Sequence, residues 1–490
     1  MQFIILYATI VAEKIKRKEK ERKMQLDFQK LKKKFIGSKE FYRGVLTIVI
    51  PMIIQNGISN FVNMLDNIMV GSLGTEQMSG VSIVNQFTFV FILLVFGGVS
   101  GAGIFTAQFY GKGDVENIRN TFRAKLIIVA AVSVIGVTVF SIFDEAFINM
   151  FLHESDSTGN IELTLQYGKD YLKWIIIGLV PFAIGQAYAS NLRETGNTFI
   201  PMVASVSAVL TNLVFNALLI YGIWFFPELG VVGAAIATTL SRFVELGILA
   251  IYTHTHTKEF PYIVGAYKSF RIPRELMTAI AAKGLPIMAN EFLWSLSITM
   301  KNQSFSTCGL DVVAGVNIAS TIINLMNVVF LSLGSSIAII VGKQLGAGKI
   351  EEAKDSAYKM LAFSVFGATC MSLIQVCISP LFPLIYNTSD EVRSIATFVI
   401  IAAACAAPFN AFCHGSYFTL RSGGLALETF VFDAGYAWLV VVPTAFIISR
   451  FTGWGFEAIY ISVVIVEALK CIIGVFMVKS ERWARQIVSD

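Results

Sequence analysis

The chain has 490 residues, 55% of them hydrophobic and only 14% charged, where a soluble protein carries about 25% charged residues. Its net charge of +5 sits at one end: residues 1–40 hold twelve Lys and Arg against five Asp and Glu, and the other 450 hold 26 against 28. This argues against a soluble enzyme, and against nucleic-acid binding, because no folded basic module accompanies the basic arm; a polytopic membrane protein is expected.

Residues 1–12, "MQFIILYATIVA", are too short to span a bilayer and are followed by charges rather than a cleavage site. Met24 offers a second plausible beginning. The arm up to residue 40 reads as a solvated basic segment touching anionic headgroups. Apolar stretches of spanning length then recur at 45–72, 79–107, 121–143, 167–190, 198–222, 230–253, 278–306, 312–341, 357–380, 395–419, 425–449 and 456–478. They predict an all-α protein of twelve transmembrane helices. Its six Cys form no CxxC pair and read as small packing residues.

Basic residues gather in alternate connections, among them Lys112, Arg119, Arg193, Lys258, Arg271, Lys343 and Arg421, with Lys479, Arg482 and Arg485 after the last span. The other connections carry Glu76, Asp144, Glu145, Glu154, Asp156, Glu228, Asp311, Asp390 and Glu391. The positive-inside rule places both termini in the cytoplasm. The longest polar connection, 254–277, divides the chain into two six-helix halves. At an offset of 235, Pro51 matches Pro286, Gly74 matches Gly309, Gly80 matches Gly315, Gly111 matches Gly346 and Gly113 matches Gly348. At an offset of 228, "LRETG" (192–196) matches "LRSGG" (420–424). Two six-helix repeats that start on one side are parallel repeats, and substrate is expected between them near the midplane.

The first span carries one charge, Asp66, the only charged residue between Arg43 and Glu76. Gln55, Asn56, Ser59, Asn60, Asn63, Asp66 and Asn67 all fall within a sector of about 140° on a helix. Such a stripe must face protein or water, and a carboxylate inside it points to a coupling-ion site. Asn212 and Asn216, spaced i,i+4 on the fifth span, and Thr238 or Thr239 on the sixth supply amides and a hydroxyl. Together with the carboxylate they are hard oxygens that suit Na⁺ or hydrogen-bond a protonated acid. The second half is not a copy. Lys301 stands where the repeat places the equivalent of Asp66, with Glu291 ten residues earlier, about 15 Å along the axis; each therefore needs its own partner or a hydrated cavity. Asn410, His414, Tyr417 and Arg421 share one face of the tenth span. No Walker A sequence, HExxH motif or Ser/His/Asp set is present, so no ATP-driven or enzymatic chemistry is expected.

These residues resemble the multidrug and toxic compound extrusion (MATE) family, in its bacterial NorM- and DinF-like branch. The likeness covers about residues 40–478. It rests on Pro51 with "DNIMVGSLG" (66–74), "AQFYGKGD" (107–114) with "GKQLGAGK" (342–349), "LRETGNTFIPM" (192–202), "TNLVFNALLIYG" (211–222) and "LGVVGAAIAT" (229–238). The resemblance implies two six-helix lobes in a V, alternating access, and export of cationic or amphiphilic organic compounds in exchange for Na⁺ or H⁺. It makes Asp66 the coupling acid, with Asn212, Asn216 and Thr238 its partners. Asn410 stands where the NorM type has an Asp, and that type's helix-seven Glu lies a few residues beyond Glu291. Coupling is therefore expected to centre on Asp66, with Gln55, Asn63, Glu291, Lys301, Asn410, His414 and Tyr417 lining the substrate path. The expected organisation is a basic tail at 1–40, a first lobe at 41–253, a linker at 254–277, a second lobe at 278–478 and a short tail at 479–490. A monomer of the plasma membrane without a cofactor is expected. A lipid-precursor flippase or polysaccharide exporter of the related superfamily is the alternative. Extra helices and a strongly cationic cavity would mark it, and the sequence shows neither.

Overall fold

The structure, a computed structural model, describes residues 29, 33–150 and 160–488. Most of the basic arm, both candidate start sites, and Glu154 and Asp156 lie outside the described residues. Twelve long helices follow in order: α1 Lys39–Gly71, α2 Thr75–Lys112, α3 Val115–Ile142, α4 Ile161–Glu194, α5 Phe199–Ile220, α6 Gly230–Thr255, α7 Arg274–Ser306, α8 Leu310–Gly346, α9 Ile350–Ile378, α10 Asp390–Ser422, α11 Ala426–Phe451 and α12 Phe456–Lys479. Several outrun the apolar windows that announce them, because a helix goes on satisfying its own backbone after it leaves the hydrocarbon and stops at a cap. Ser38 caps α1 by accepting from Phe41 N, and Asp114 caps α3 by accepting from Asn117 N. A short helix, Asp144–Asn149, and a 3-10 turn, Pro261–Ile263, interrupt connections that read as plain loop.

Eleven of the twelve are long and apolar enough to cross a membrane, among the described residues. The exception, α7, carries Lys283, Glu291 and Lys301. It tolerates them because it packs between protein surfaces, against α2 on one side and α11 on the other. Elsewhere large apolar side chains turn outward, such as Val134 at 67% exposure and Leu439 at 79%. Outward-facing apolar surface of this kind belongs against lipid tails.

The repeat seen in the sequence is carried into the backbone. Shifted by 235 residues, the bounds of α1 become those of α7. Gly74 and Gly309 both precede their helices at positive φ, 139° and 121°. Gly113 and Gly348 both turn the chain in the left-handed region, at 78° and 74°. Only glycine adopts these conformations without strain, which is why the pairs recur. Pro51 and Pro286 lie inside α1 and α7 alike. Three large apolar clusters are buried, two of them shared across the halves: the start of α1 joins a second-half cluster, and Ile280 and Val488 join the first-half one. One is centred on α2, α3, α4 and α6, and two others lie among α8, α10 and α12.

The start of α1 and the end of α12 share one side, the terminal face: Phe41 and Val45 pack in the same cluster as Val478 and Trp483. Nearer this face the two halves touch closely. A Cβ on Gly101 of α2 would come within 2.3 Å of Gly284 Cα on α7. On α2 and α8, a Cβ on Gly111 would lie 1.9 Å from Lys343 O, and one on Gly346 would lie 1.9 Å from Gln108 O. These glycines let the helix backbones meet. At mid-length, Asn56 Nδ2 of α1 donates to Ser332 Oγ of α8 at 3.2 Å.

Candidate functional site

The polar stripe of α1 opens onto a cavity of about 380 Å³ formed by α1, α2, α4, α5 and α6. Ser59, Asn63, Asp66 and Asn67 line it from α1; Asn212 and Asn216 line it from α5, and Thr238 from α6. All its lining residues belong to the first half. Asp66 lies in the turn and a half before α1 ends at Gly71, so its carboxylate sits toward the face opposite the termini.

Asn216 Nδ2 donates to Asp66 Oδ1 at 2.7 Å. The i,i+4 spacing stacks Asn212 one turn below, 3.3 Å from the same Asn216 nitrogen. Asn212 is 3.1 Å from Thr238 Oγ1. With its amide turned so that its nitrogen faces the carboxylate, Asn212 donates to both Asp66 oxygens at 2.9 Å and accepts from Thr238 Oγ1 at 3.1 Å. Thr238, not Thr239, is therefore the hydroxyl of the site; Thr239 Oγ1 donates to Trp174 O at 2.8 Å instead. Asn212 and Asn216 are buried, and Asn216 Oδ1 accepts no hydrogen bond from a described residue. A buried amide oxygen without a donor is costly. Here it lies on the amide that holds Asp66, beside the carboxylate. Among the described residues Asp66 forms no ion pair. Arg242, which also lines the cavity, pairs with Glu245 at 3.5 Å. Tyr171 closes the wall, its hydroxyl 3.4 Å from Asn85 Oδ1. Arg242, Glu245 and Tyr171 were not foreseen from the sequence. For the first two, a pair of charges three residues apart inside the sixth span was the available signal.

Of the other expected residues, Asn63 lines the cavity, whereas Gln55, part-buried, does not. The expected groups of the second half form a separate cluster. Tyr417 donates to Glu291 Oε1 at 2.9 Å. The His414 ring stacks near Tyr417, with centroids 6.2 Å apart, and is edged by Phe418 and Phe330. Arg421 is buried over the rings of Tyr417, Phe418 and Phe96. The helical face through His414, Tyr417 and Arg421 is thus present. Asn410, part-exposed on the same helix, makes no hydrogen bond among the described residues.

Lys301, for which the sequence offered no partner, donates to Glu467 Oε1 of α12 at 2.7 Å. One turn along α12, Lys470 pairs with Asp433 of α11, which also accepts from Asn290 Nδ2 at 3.0 Å. Here α11 runs through two π-type turns, Val431–Gly435 and Ala437–Val441. Asn290 Oδ1 accepts from Ala434 N at 3.1 Å within the first of them, so one amide reads both the backbone and the acid of this turn. Asp433, Glu467 and Lys470 were missed, although each is a charge inside a predicted span, the same signal that marks Asp66.

A second cavity, about 540 Å³, opens at the terminal face and is lined by Thr47, Tyr110, Thr195, Lys258 and Glu259, among others. It gathers no set of converging oxygens comparable to that around Asp66.

The MatE family profile matches residues 51–218 and 286–447, one stretch in each half. The chain belongs to the MatE family. It is a membrane transporter, not an enzyme. It is similar to the probable multidrug resistance protein NorM of Thermotoga maritima, 23% identical over 457 residues, 92% of this chain and 94% of that protein. It is also similar to the multidrug resistance protein MdtK of Yersinia pseudotuberculosis, 26% identical over 74% of this chain and 78% of that protein. Among solved structures it superposes at a TM-score of 0.79 on the outward-facing conformation of a multidrug resistance MATE family transporter, at 19% identity, covering 89% of this chain and 94% of that one. A Vibrio cholerae MATE transporter, VcmN, matches at a TM-score of 0.79 and 16% identity, over 90% of this chain and 97% of that one. The expected twelve-helix MATE architecture stands.

Proposed function

We propose that this protein exports cationic or amphiphilic organic compounds across the plasma membrane in exchange for Na⁺ or H⁺. The terminal face is cytoplasmic in this reading, with two lobes, 41–253 and 278–478, joined by the linker 254–277 and working as a monomer. The names of the NorM and MdtK relatives support the substrate class. The coupling role rests above all on one observation: Asp66 is a cavity carboxylate with no ion pair among the described residues, beside a buried amide oxygen with no donor among them. A cation entering from the far face meets the Asp66 carboxylate, Asn216 Oδ1 and the Thr238 hydroxyl, all hard oxygen donors. A proton instead takes one carboxylate oxygen. Either event removes a negative charge from the wall of the first lobe. It can bias the two lobes only as far as the cation binds one arrangement more tightly than the other.

The second lobe adds a second acid, Glu291, held by Tyr417. With Asp433–Lys470 and Glu467–Lys301 internally paired, Glu291 is the acid of this cluster without a hydrogen-bonded cation among the described residues. Glu291→Gln keeps an acceptor for Tyr417 and removes the charge. Its expected effect is a weaker apparent affinity for cationic dyes with gradient coupling retained, read as a raised half-saturation concentration for ethidium efflux. An unchanged half-saturation would remove Glu291 from the substrate path. The reading as a whole is tested by ethidium efflux from cells expressing the protein, under imposed Na⁺ and pH gradients in turn. Efflux should follow one of them, and efflux indifferent to both would refute exchange.

A further inference from the structure

The nine described residues after α12 do not trail into solvent. Glu481, at a φ of 54°, reverses the chain beneath the bundle. Trp483 is then fully buried in the cluster that α8, α10 and α12 form with the start of α1, and its Nε1 donates to Val478 O at 3.0 Å. A Cβ on Gly423 would lie 1.7 Å from Trp483 O, so the end of α10 admits the segment only because it is bare there. Arg485 Nε donates to Gly423 O at 3.1 Å, and Gln486 Nε2 donates to Gly346 O at 2.9 Å. The segment next crosses to the first half. Ile487 N donates to Gln108 Oε1 at 2.9 Å, and Lys112 Nζ donates to Val488 O at 3.4 Å. The Val488 side chain is 5% exposed and belongs to the first-half core.

Gln108 is the knot. It has no exposed surface, sits on α2 in "AQFYGKGD", and its Nε2 donates across the seam to Ser422 O at 2.9 Å. One amide side chain therefore binds the end of α10 and the C-terminal segment from the opposite half. The repeat supplies no second copy of this arrangement: the equivalent of Gln108 at offset 235 is Lys343, which lies over the ring of Tyr110.

We propose that Gln108 and residues 483–488 form a lock on the terminal-face gate, holding the two halves shut there until the Gln108 and Val488 contacts break. The segment stays with the second half, anchored by Trp483, Arg485 and Gln486, and parts from the first. Gln108 is thereby a positioning residue of the transport cycle. The proposal rests on the alternating-access reading above, but not on any substrate or coupling ion.

The test measures the gate itself. Glu116 and Glu351, both exposed on the terminal face, one in each half, become cysteines carrying spin labels, with the native cysteines replaced. Pulsed electron-spin distances are recorded for the full chain, for Gln108→Ala, and for a chain ending after Arg485, which keeps the Trp483 anchor. Both changes should raise the population with widely separated labels, by about fivefold for each hydrogen bond lost. Distance distributions identical to the parent in the shortened chain would overturn the proposal, whether or not Gln108→Ala folds. In a second arm, Lys112→Cys and Val488→Cys are joined by a short bis-maleimide. The bridged protein should lose ethidium transport in proteoliposomes, and bridged protein that turns over at the unbridged rate would contradict release. A failure of ion coupling alone would leave the distance result standing.

Discussion

Asp66→Asn is expected to abolish gradient-driven efflux while the protein still folds and reaches the membrane. The substitution keeps the shape of the side chain and an oxygen to accept from Asn216, whose amide lies 2.7 Å from the carboxylate. It removes the cavity-wall carboxylate that has no ion pair among the described residues; the other, Glu245, is held by Arg242. Asn216 and Thr238 alone offer only neutral dipoles, and the cation in the same wall, Arg242, is already paired with Glu245. The variant should bind substrate and exchange it passively, but ignore an imposed ion gradient. Accumulation of ethidium in cells carrying Asp66→Asn should match cells without the transporter, at equal membrane abundance.

Lys470→Met is expected to be among the most destabilising single changes in the second half. Lys470 and Asp433 are largely withdrawn from solvent, with side-chain exposures of 17% and 18%. Removing the ammonium leaves the Asp433 carboxylate inside the bundle with the Asn290 amide as its one side-chain donor among the described residues. Breaking a buried pair in this way costs about 3 kcal/mol or more. The loss should be largely recovered in the double variant Lys470→Met, Asp433→Asn. That variant creates no new unpaired charge, and the new amide oxygen at position 433 still accepts from Asn290. Thermal unfolding in detergent, compared across the two single variants and the double, measures this. Equal stability of Lys470→Met and the parent would show that the pair is solvated.

Much of the fold could be read from the sequence, because bilayer thickness and the repeat each impose a simple rule. Apolar windows located the helices, and the offset of 235 anticipated that Gly74 and Gly309, and Gly113 and Gly348, would turn the chain alike. The Asp66 site was legible for a related reason. Its residues lie on α1, α5 and α6, and each shows a polar group where the span should be apolar. The second half was harder. Lys301 looked unpartnered because its partner, Glu467, lies 166 residues away on α12, and no spacing rule joins the two. Asp433 and Lys470 stayed hidden behind the same gap, although their charges stood out. The C-terminal segment was read as a short tail, since "ERWARQIV" is too brief and too polar to announce burial. Its burial comes from the seam between the halves, which exists only once α2, α8 and α10 have met.

In the proposed cycle the oxygens around Asp66 make one demand on transport: each turnover carries a cation inward through the first lobe. The decisive measurement is cation uptake in proteoliposomes during substrate movement, with ²²Na⁺ and a pH-sensitive dye followed in parallel, for the parent and for Asp66→Asn. One of the two cations should enter as ethidium leaves in the parent, and this linked entry should vanish in Asp66→Asn. Cation entry linked to ethidium movement that persists in Asp66→Asn would contradict the role given to this carboxylate.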